Sequence, residues 1–257
     1  MDFLTANLIN TTTQISLTNQ TALASSLFNR DEYYQYYTDG LNNDLTSASI
    51  TITFGATTSV SRIALIDTNL KDFTVFYNGV TASTFTLVSQ ATTASSFTGN
   101  ADENVMLRFA TIGVSSVTIQ MKKTITADQE KILGLFYIGD TYFSLGKLPN
   151  ASNYKPQRVP KEIVHTLSEG GTRVSRVREK FDLSINLDYV SASDVSSLKD
   201  VKAQSSFNFA AFSTSTGWTN PVFFEAVWPG SFNFYEFSDE VVSNGFSGNI
   251  KLKETPA

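Results

Sequence analysis

The residues of this chain that could do chemistry are few, and their spacing does not form a catalytic set. The chain has one histidine, His165, and no cysteine, so a serine–histidine–aspartate triad would have to use His165, and a thiol nucleophile is excluded. No G-x-S-x-G segment supplies a nucleophile elbow, and no G-x-x-x-x-G-K-[ST] or G-x-G-x-x-G loop supplies a phosphate cradle. We therefore expect no catalytic residue, no cofactor and no enzymatic activity.

Oxygen-bearing side chains are concentrated in the segment Asp39-Gly40-Leu41-Asn42-Asn43-Asp44. Two carboxylates could in principle cleave a glycoside, and Asp39, Asn42 and Asp44 are candidate ligands of Ca²⁺. The segment lacks the spacing and the terminal glutamate of an EF-hand loop. We expect a solvated polar turn here and no bound metal, with these three residues as the weak candidates for an ion.

Four tyrosines occur within five positions of the chain. They are Tyr33, Tyr34, Tyr36 and Tyr37. Because neighbouring side chains of a strand point to opposite faces, at least one or two of them should be exposed. A tyrosine ring offers a flat apolar face and a hydroxyl, which suits sugars and protein partners alike. Two interpretations stay open: a ligand or partner surface, and ordinary packing near the edge of a sheet.

Basic residues are concentrated in one segment of a chain whose net charge is −5. Residues 147–180 hold 8 Lys/Arg and 3 Asp/Glu. The last basic residues of this segment are Arg173, Arg176, Arg178 and Lys180. Positions 176, 178 and 180 share one face of a strand, which favours pairing with carboxylates of a neighbouring subunit. The negative net charge argues against nucleic acid as the main partner.

The composition and the apolar pattern predict that strands position these side chains. The 257 residues include 20 Phe and 10 Tyr, and aromatic and β-branched residues favour sheets. Separate strands are predicted at residues 49–54, 60–66, 73–77, 85–88, 105–109, 117–121 and 133–138. Asn78-Gly79 predicts a tight hairpin turn. Short strands at regular spacing predict a β-sandwich or a jelly roll for the first domain, residues 1–140.

The second half, residues 141–257, predicts different elements. Residues 142–160 are expected to be a loop, and two extended stretches flank Gly170-Gly171, which predicts a long hairpin over about residues 158–190. Its return strand places Phe181, Leu183, Ile185, Leu187 and Tyr189 on one face. Ser191, with Asp194 three residues later, predicts the cap of one short helix. Further strands follow, including one at 249–253, so the predicted fold class is mainly β with two domains, 1–140 and 141–257.

Several motifs of the first half occur in a characteristic order. They are Asn7-Leu8-Ile9, Ala24-Ser25-Ser26, Thr38-Asp39-Gly40-Leu41, the strand at 49–54, Val60-Ser61-Arg62-Ile63-Ala64-Leu65, Phe73-Thr74-Val75-Phe76-Tyr77 and the strands at 107–109, 117–119 and 132–138. In this order they resemble a discoidin, or galactose-binding-like, domain, which implies an eight-stranded jelly roll over about residues 5–140. The tryptophan that usually follows the Asp-Gly segment and the terminal cysteine pair of secreted members are absent, so the resemblance implies no particular sugar or lipid.

The hairpin around Gly170-Gly171, the strand at 181–189, the helix from Ser191 and the strands at 222–228 and 249–253 resemble the tail-tube-related β fold of phage and contractile-machine proteins. Such domains form rings by pairing sheets between subunits. Together with a carbohydrate-binding-like sandwich, the resemblance implies a distal-tail-like protein. The sandwich comes first here, which is the reverse of the usual order.

The two resemblances imply a non-enzymatic virion structural protein of the tail or tail tip, made in the host cytoplasm. Its expected partners are copies of itself in a ring, six by expectation, other tail proteins and a cell-surface glycan. No stretch approaches the ~18 apolar residues of a membrane span, and the N-terminus does not resemble a secretory signal. The alternative is a carbohydrate-binding accessory or adhesion protein that uses residues 33–37. A hydrolase would need His165 beside a serine, or paired carboxylates in a pocket.

Overall fold

The computed structural model describes residues 1–18, 24–29, 35–38, 43–81, 85–88, 92–146, 157–166, 172–212, 222–239 and 242–255. For residues 157–158, 160–166, 172–179, 237–239 and 242–244 it describes the backbone alone. Two compact units are present, and they are treated separately below. The sandwich is formed mainly by Thr5–Thr141, and the C-terminal unit by Met1–Leu4, Tyr142–Ala211 and Val222–Pro256.

The described residues are mainly in strands, which confirms the predicted fold class. The strands are β1 (Asp2–Leu4), β2 (Ile15–Thr18), β3 (Tyr36–Tyr37), β4 (Ala48–Ile66), β5 (Leu70–Tyr77), β6 (Val80–Thr81), β7 (Phe85–Leu87), β8 (Thr92–Ala94), β9 (Ser96–Phe97), β10 (Val105–Thr124), β11 (Ile132–Leu133), β12 (Leu135–Gly139), β13 (Thr141–Ser144), β14 (Gln157–Thr166), β15 (Thr172–Val190), β16 (Phe207–Ala211), β17 (Val222–Val227), β18 (Asn233–Asp239) and β19 (Val242–Glu254). The helix α1 spans Ala192–Lys202, and 3-10 turns lie at Thr12–Gln14 and Ala24–Leu27.

The sandwich is built on two long antiparallel strands, β4 and β10, which pair along most of their length. The first half of β4 also pairs with β2, and the second half of β10 with β5. The second half of β4 pairs with β12, and the first half of β10 with β7. Each long strand therefore has different further partners along its two halves. Register shifts between Arg108 and Ile112 and between Val114 and Ser116 mark where the ladder bends.

One continuous apolar core fills the sandwich. Along the first half of β4, Ile50 and Ile52 are buried while the side chains between them are partly exposed, as the alternation of a strand requires. Beyond the irregular middle of the strand, Val60, Ile63 and Leu65 join the same core. Full burial of one such side chain contributes about 1.5–3 kcal/mol, and since the chain has no cysteine, this core and not a disulfide stabilises the sandwich.

The predicted breaks in the two long strands are wrong. The sequence predicted separate strands at 49–54 and 60–66 and at 105–109 and 117–121, whereas β4 and β10 are each continuous. Thr58 and Ser59, which look like turn residues, pair with Val114 and Gly113. Polar residues interrupt the apolar pattern without ending the strand, although the ladder between β4 and β10 shifts its register on either side of them. The predicted Asn78-Gly79 turn is confirmed, with φ of 50° and 75°.

The C-terminal unit holds a sheet with the strand order β13-β1-β16-β17-β19-β15-β14, and β18 pairs with β19. Its core is rich in aromatic rings. The ring centroid of Phe3 lies 5.7 Å from that of Phe207 and 5.5 Å from that of Phe209. Phe209 in turn lies 5.5 Å from Phe224. Tilted pairs of this kind add about 0.5–1.5 kcal/mol each beyond the burial of their area, which ties β1, β16 and β17 together.

The predicted helix and its cap are confirmed. The Ser191 hydroxyl accepts a hydrogen bond of 3.1 Å from the backbone N–H of Asp194. Leu198 and Val201, three positions apart on one face of the helix, are buried. In the described part of the chain, no helix is long and apolar enough to cross a membrane.

The predicted face of β15 is confirmed except at its end. Leu183, Ile185 and Leu187 are buried. Tyr189 is 52% exposed, with a φ of 59°, and the register with β19 shifts between Leu187 and Val190. The irregularity adds one residue to this strand, so Val190 and not Tyr189 continues the buried face.

The hairpin extends beyond the rest of its sheet. β14 pairs with β15 from Gln157 opposite Asp182 to Thr166 opposite Thr172. β19 pairs with β15 only over Asp182 to Val190. Residues 157–166 and 172–181, called the arm below, are therefore two strands that pair with each other and with no other described strand.

The first strand of the chain belongs to the C-terminal unit. The first predicted domain began at residue 1, but β1 pairs with β16, with Phe3 opposite Phe209. β1 also neighbours β13, and the backbone N–H of Leu145 donates to the carbonyl of Met1 at 2.8 Å. The predicted loop at 142–160 therefore contains most of β13 and the beginning of β14.

Candidate functional site

The structure places the two described tyrosines of the predicted cluster in different environments. Tyr36 and Tyr37 form β3, which pairs with β11. Tyr36 is fully buried, and its hydroxyl has no hydrogen-bond partner among the described residues. Burial raises the pKa of this hydroxyl above its ordinary value. Its predicted place on a ligand surface is corrected, because strand alternation turns it into the core. Tyr37 is 44% exposed, and Tyr33 and Tyr34 lie outside the described residues.

A buried lysine, Lys131, lies next to this strand. Its exposed fraction is 0%. The backbone N–H of Lys131 donates to the hydroxyl of Thr38 at 2.9 Å, and the N–H of Thr38 donates back to the carbonyl of Lys131 at 3.1 Å. The Nζ of Lys131 donates to the carbonyl of Asn43 at 3.1 Å. One lysine therefore ties both ends of the segment 38–43 to the beginning of β11.

Asp44, a weak metal candidate from the sequence, is bound within the chain. Its N–H donates to Oδ1 of Asp128 at 3.0 Å, and its own Oδ1 accepts from the N–H of Thr124 at 3.1 Å. Asp39 and Asn42 lie outside the described residues. No group of three or more acidic or histidine side chains in the described part of the chain is placed to hold a metal ion.

The charges of this cluster shift one another. Burial by itself raises the pKa of the Asp44 carboxyl, but hydrogen bonds from Thr124 and the charge of Lys131 outweigh it and hold that pKa below its ordinary value. Burial lowers the pKa of the Lys131 ammonium, and the carboxylates of Asp44 and Asp128 oppose this shift without cancelling it. The ammonium thus acts as an internal cation for an acidic loop.

The same loop presents an apolar side chain to solvent. The side-chain oxygen of Asn43 accepts from the N–H groups of Leu45, at 3.1 Å, and Thr46, at 2.8 Å. Leu45 is 98% exposed. Tyr37 precedes Thr38, which is hydrogen-bonded to Lys131. Leu45 follows Asp44, which is hydrogen-bonded to Thr124 and Asp128. Both exposed side chains therefore adjoin residues that hydrogen bonds fix in place. We call Tyr37 and Leu45 the loop surface.

Sequence reasoning missed Lys131, Asp128 and Leu45. Lys131 stands directly before the apolar residues of β11, where a lysine usually points into solvent. Nothing local distinguishes a buried lysine from a solvated one, because its partners lie about 90 residues away in the chain. Leu45 lies among polar residues without periodicity, so no pattern indicates that a fixed loop presents it.

The predicted basic surface lies on the arm. In the backbone register, Arg173 is opposite His165, Arg176 is opposite Glu162 and Arg178 is opposite Lys161. The side chains of these residues lie outside the described part of the chain, and Lys180 is partly exposed. The role of these residues as a subunit interface therefore stays a prediction.

Comparisons with known proteins give likeness of fold only. No protein-family model matches the chain, and no curated protein matches it. Chitosan-binding module 1 from a chitosanase/glucanase of Paenibacillus sp. IK-5 is 13% identical, with a TM-score of 0.39 over 53% of this chain and 98% of the module. CBM32-3 from a family 31 glycoside hydrolase of Clostridium perfringens is 12% identical, with a TM-score of 0.37 over 50% of this chain and 92% of its own.

A third structure, CpGH89CBM32-5 from Clostridium perfringens in complex with GalNAc-β-1,3-galactose, is 11% identical, with a TM-score of 0.36 over 50% of this chain and 96% of its own. With TM-scores below 0.5, these likenesses add nothing to the fold derived above from the pairing of the strands.

Proposed function

We propose that this chain is a non-enzymatic structural protein that assembles with further copies of itself through the arm, and that the assembly belongs to a phage-type tail. One observation carries the proposal: the arm extends beyond its sheet as two strands paired only with each other among the described strands. A two-stranded hairpin by itself is marginally stable in water. A second copy that covers the arm supplies the missing contacts.

Strand edges add to this argument. Among the described strands, residues 158–166 of β14 and 172–180 of β15 each have a strand neighbour on one edge only, so their other edges are open to a further strand. Such edges cause aggregation in a monomer, whereas in a closed ring they become subunit contacts. The proposed ring has six copies, with other tail proteins as neighbours, and the chain is made in the host cytoplasm and works in the virion.

Charge supports the same contact. Residues 157–181 contain 6 Lys/Arg and 3 Asp/Glu, whereas residues 182–257 contain 4 Lys/Arg and 9 Asp/Glu. A basic arm and an acidic body attract each other between copies. Arginine is suited to this contact because its guanidinium pairs with a carboxylate through two hydrogen bonds.

Charge reversal on the arm tests the proposal. We expect Arg176→Glu with Arg178→Glu to weaken self-association at least tenfold, because both changes repel an acidic neighbour and remove bidentate pairs. The measurement is molar mass by light scattering across a dilution series. The matched control is Lys251→Glu with Lys253→Glu on exposed positions of β19, which makes the same change of net charge. Assembly that survives the arm variant unchanged contradicts the proposed contact.

A second candidate function is carbohydrate binding by the sandwich, as an accessory or adhesion protein. The loop surface favours it. Tyr37 offers a partly exposed ring, and Leu45 stands fully exposed on a loop fixed by hydrogen bonds. Aromatic and aliphatic faces pack against the apolar side of sugar rings, and a fixed loop loses little entropy on binding. The fold is one that carbohydrate-binding modules share.

A binding assay decides this candidate. The probes are chitosan oligosaccharides and GalNAc-β-1,3-galactose, the sugars of the similar modules. If the loop surface binds either sugar, Tyr37→Ala should weaken binding about two- to twelvefold, because one ring contact contributes about 0.5–1.5 kcal/mol. Tyr142→Ala is the matched control, because Tyr142 is 46% exposed against 44% for Tyr37 and lies in the C-terminal unit. Titration calorimetry that detects no binding of either sugar, or an equal loss in both variants, contradicts this candidate.

A further inference from the structure

The two ends of the sandwich meet. The backbone N–H of Thr5 donates to the carbonyl of Asp140 at 2.9 Å, and the N–H of Asp140 donates to the hydroxyl of Thr5 at 3.0 Å. Thr5 and Asp140 lie at the beginning and at the end of Thr5–Thr141, the main segment of the sandwich. This segment therefore begins and ends at one place.

Both ends are fixed to the sandwich itself. Near the entry, the side chain of Asn7 donates to the carbonyl of Phe136 at 2.9 Å and accepts from the N–H of Ile138 at 3.1 Å. Near the exit, the Asp140 carboxylate accepts hydrogen bonds from Ser61 of β4 and Thr111 of β10. These bonds close the sandwich without any residue of the C-terminal unit.

The strands on either side of the sandwich are neighbours in the sheet of the C-terminal unit. β1 ends at Leu4 and β13 begins at Thr141, and the two lie side by side in that sheet. Adjacent strands are commonly joined by loops of two to five residues. Here the connection between them is the whole sandwich, so the sandwich occupies the place of a hairpin loop.

The cores on either side of the entry point are separate. Phe3 of β1 packs on Phe207 and Phe209 of the C-terminal unit. Ile9, six residues later, is buried at 2% exposure in the apolar core of the sandwich. The partners of a buried side chain thus change from one unit to the other within a few residues.

We infer that the sandwich is an inserted module that unfolds as its own cooperative unit, and that the C-terminal unit includes the first strand of the chain. The entropic cost of a longer loop grows slowly with its length, which makes an insertion of this size tolerable when its ends already meet. The inference does not rest on the proposed function, because it concerns folding and not binding.

Two core substitutions in the full chain test it. Pulse-labelling hydrogen exchange with mass spectrometry across a urea series reports the unfolding midpoint of each peptide. We expect Phe3→Ala to lower the midpoint of peptides from β16 to β19 by about 1–2 M urea and to leave peptides from β4 and β10 unchanged. Ile9→Ala should do the reverse, with a similar shift confined to the sandwich.

The two substitutions distinguish the units well, because Phe3 and Ile9 are six residues apart in sequence but belong to different units. If Phe3→Ala prevents folding, Phe3→Leu gives the same comparison with a smaller shift. A shift of sandwich peptides by the Phe3 variants, or equal shifts of both units by both substitutions, overturns the inference. Failure of self-association in the dilution series leaves these outcomes unaffected, so the two proposals fail separately.

Discussion

A variant in which Asn-Gly replaces residues 159–180 is expected to be a folded monomer at concentrations where the full-length chain is assembled. Arg158 and Phe181 face each other in the register of β14 and β15, so a two-residue turn can join them. The deletion removes the arm beyond this pair and keeps the part of β15 that pairs with β19. We expect at least a hundredfold weaker self-association, since the main contact is lost.

Sedimentation velocity measures the assembly state, and the fluorescence of Trp228, read with Trp218→Phe in both chains because the sequence has two tryptophans, reports whether the C-terminal unit has folded. Trp228 is buried, with its ring centroid 5.6 Å from that of Phe232, so unfolding changes its environment. A variant that still assembles shows that copies meet elsewhere. A variant whose Trp228 emission matches that of the unfolded chain shows that the arm stabilises its own unit.

Removal of the Lys131 side chain is expected to have the largest effect on the stability of the sandwich for a single polar residue. Lys131→Ala leaves a cavity and an unpaired carbonyl at Asn43, and it takes away the cation that offsets Asp44 and Asp128. We expect a loss of about 2–4 kcal/mol in the free energy of unfolding. Urea denaturation followed by circular dichroism measures it.

Two controls separate the causes. Lys131→Met keeps most of the packing and removes only the ammonium, so its loss should be smaller, about 1–3 kcal/mol. Lys123→Ala removes an exposed lysine, 3.7 Å from Asp72, and should cost less than about 1 kcal/mol. If Lys131→Ala costs no more than Lys123→Ala, the cluster does not stabilise the loop.

The lowered pKa of Lys131 gives the sign of a pH effect. Below that pKa, both the folded and the unfolded chain carry the charge, so the contribution to stability is constant. At a pH between the lowered pKa of the folded chain and the ordinary value of 10.5, Lys131 has released its proton in the folded chain but still binds it in the unfolded chain. Stability therefore rises with pH in this window, and the difference between the wild type and Lys131→Met should move in favour of the wild type.

The sequence predicted strands and turns where one local pattern decides the structure. Alternation at 183–187, the Asn78-Gly79 turn and the Ser191 cap all depend on residues within a few positions of one another, and all three are confirmed. Predictions failed where distant partners decide. Thr58 and Ser59 continue a strand because β10 pairs with them, and Tyr189 turns outward because β19 shifts its register.

For the candidate site, the sequence indicates which residue types are present but not which of their side chains are buried or in contact. Exposure of part of the tyrosine cluster follows from alternation, but the burial of Tyr36 depends on β11, about 100 residues later in the chain. Nothing near Lys131 indicates that its ammonium serves the loop of Asn43 and Asp44. The assignment of β1 to the C-terminal unit could not be predicted either. A strand of three residues shows no periodicity, and its partner, β16, lies about 200 residues later in the chain.

The continuity of β4 and β10 has a mechanical consequence. Each of these two strands is one continuous segment of chain that runs through both halves of the sandwich. The halves therefore cannot slide past each other unless backbone hydrogen bonds between the two strands break. A force along these strands loads many ladder hydrogen bonds at once, because the two strands pair along most of their length. We therefore expect the sandwich to resist shear.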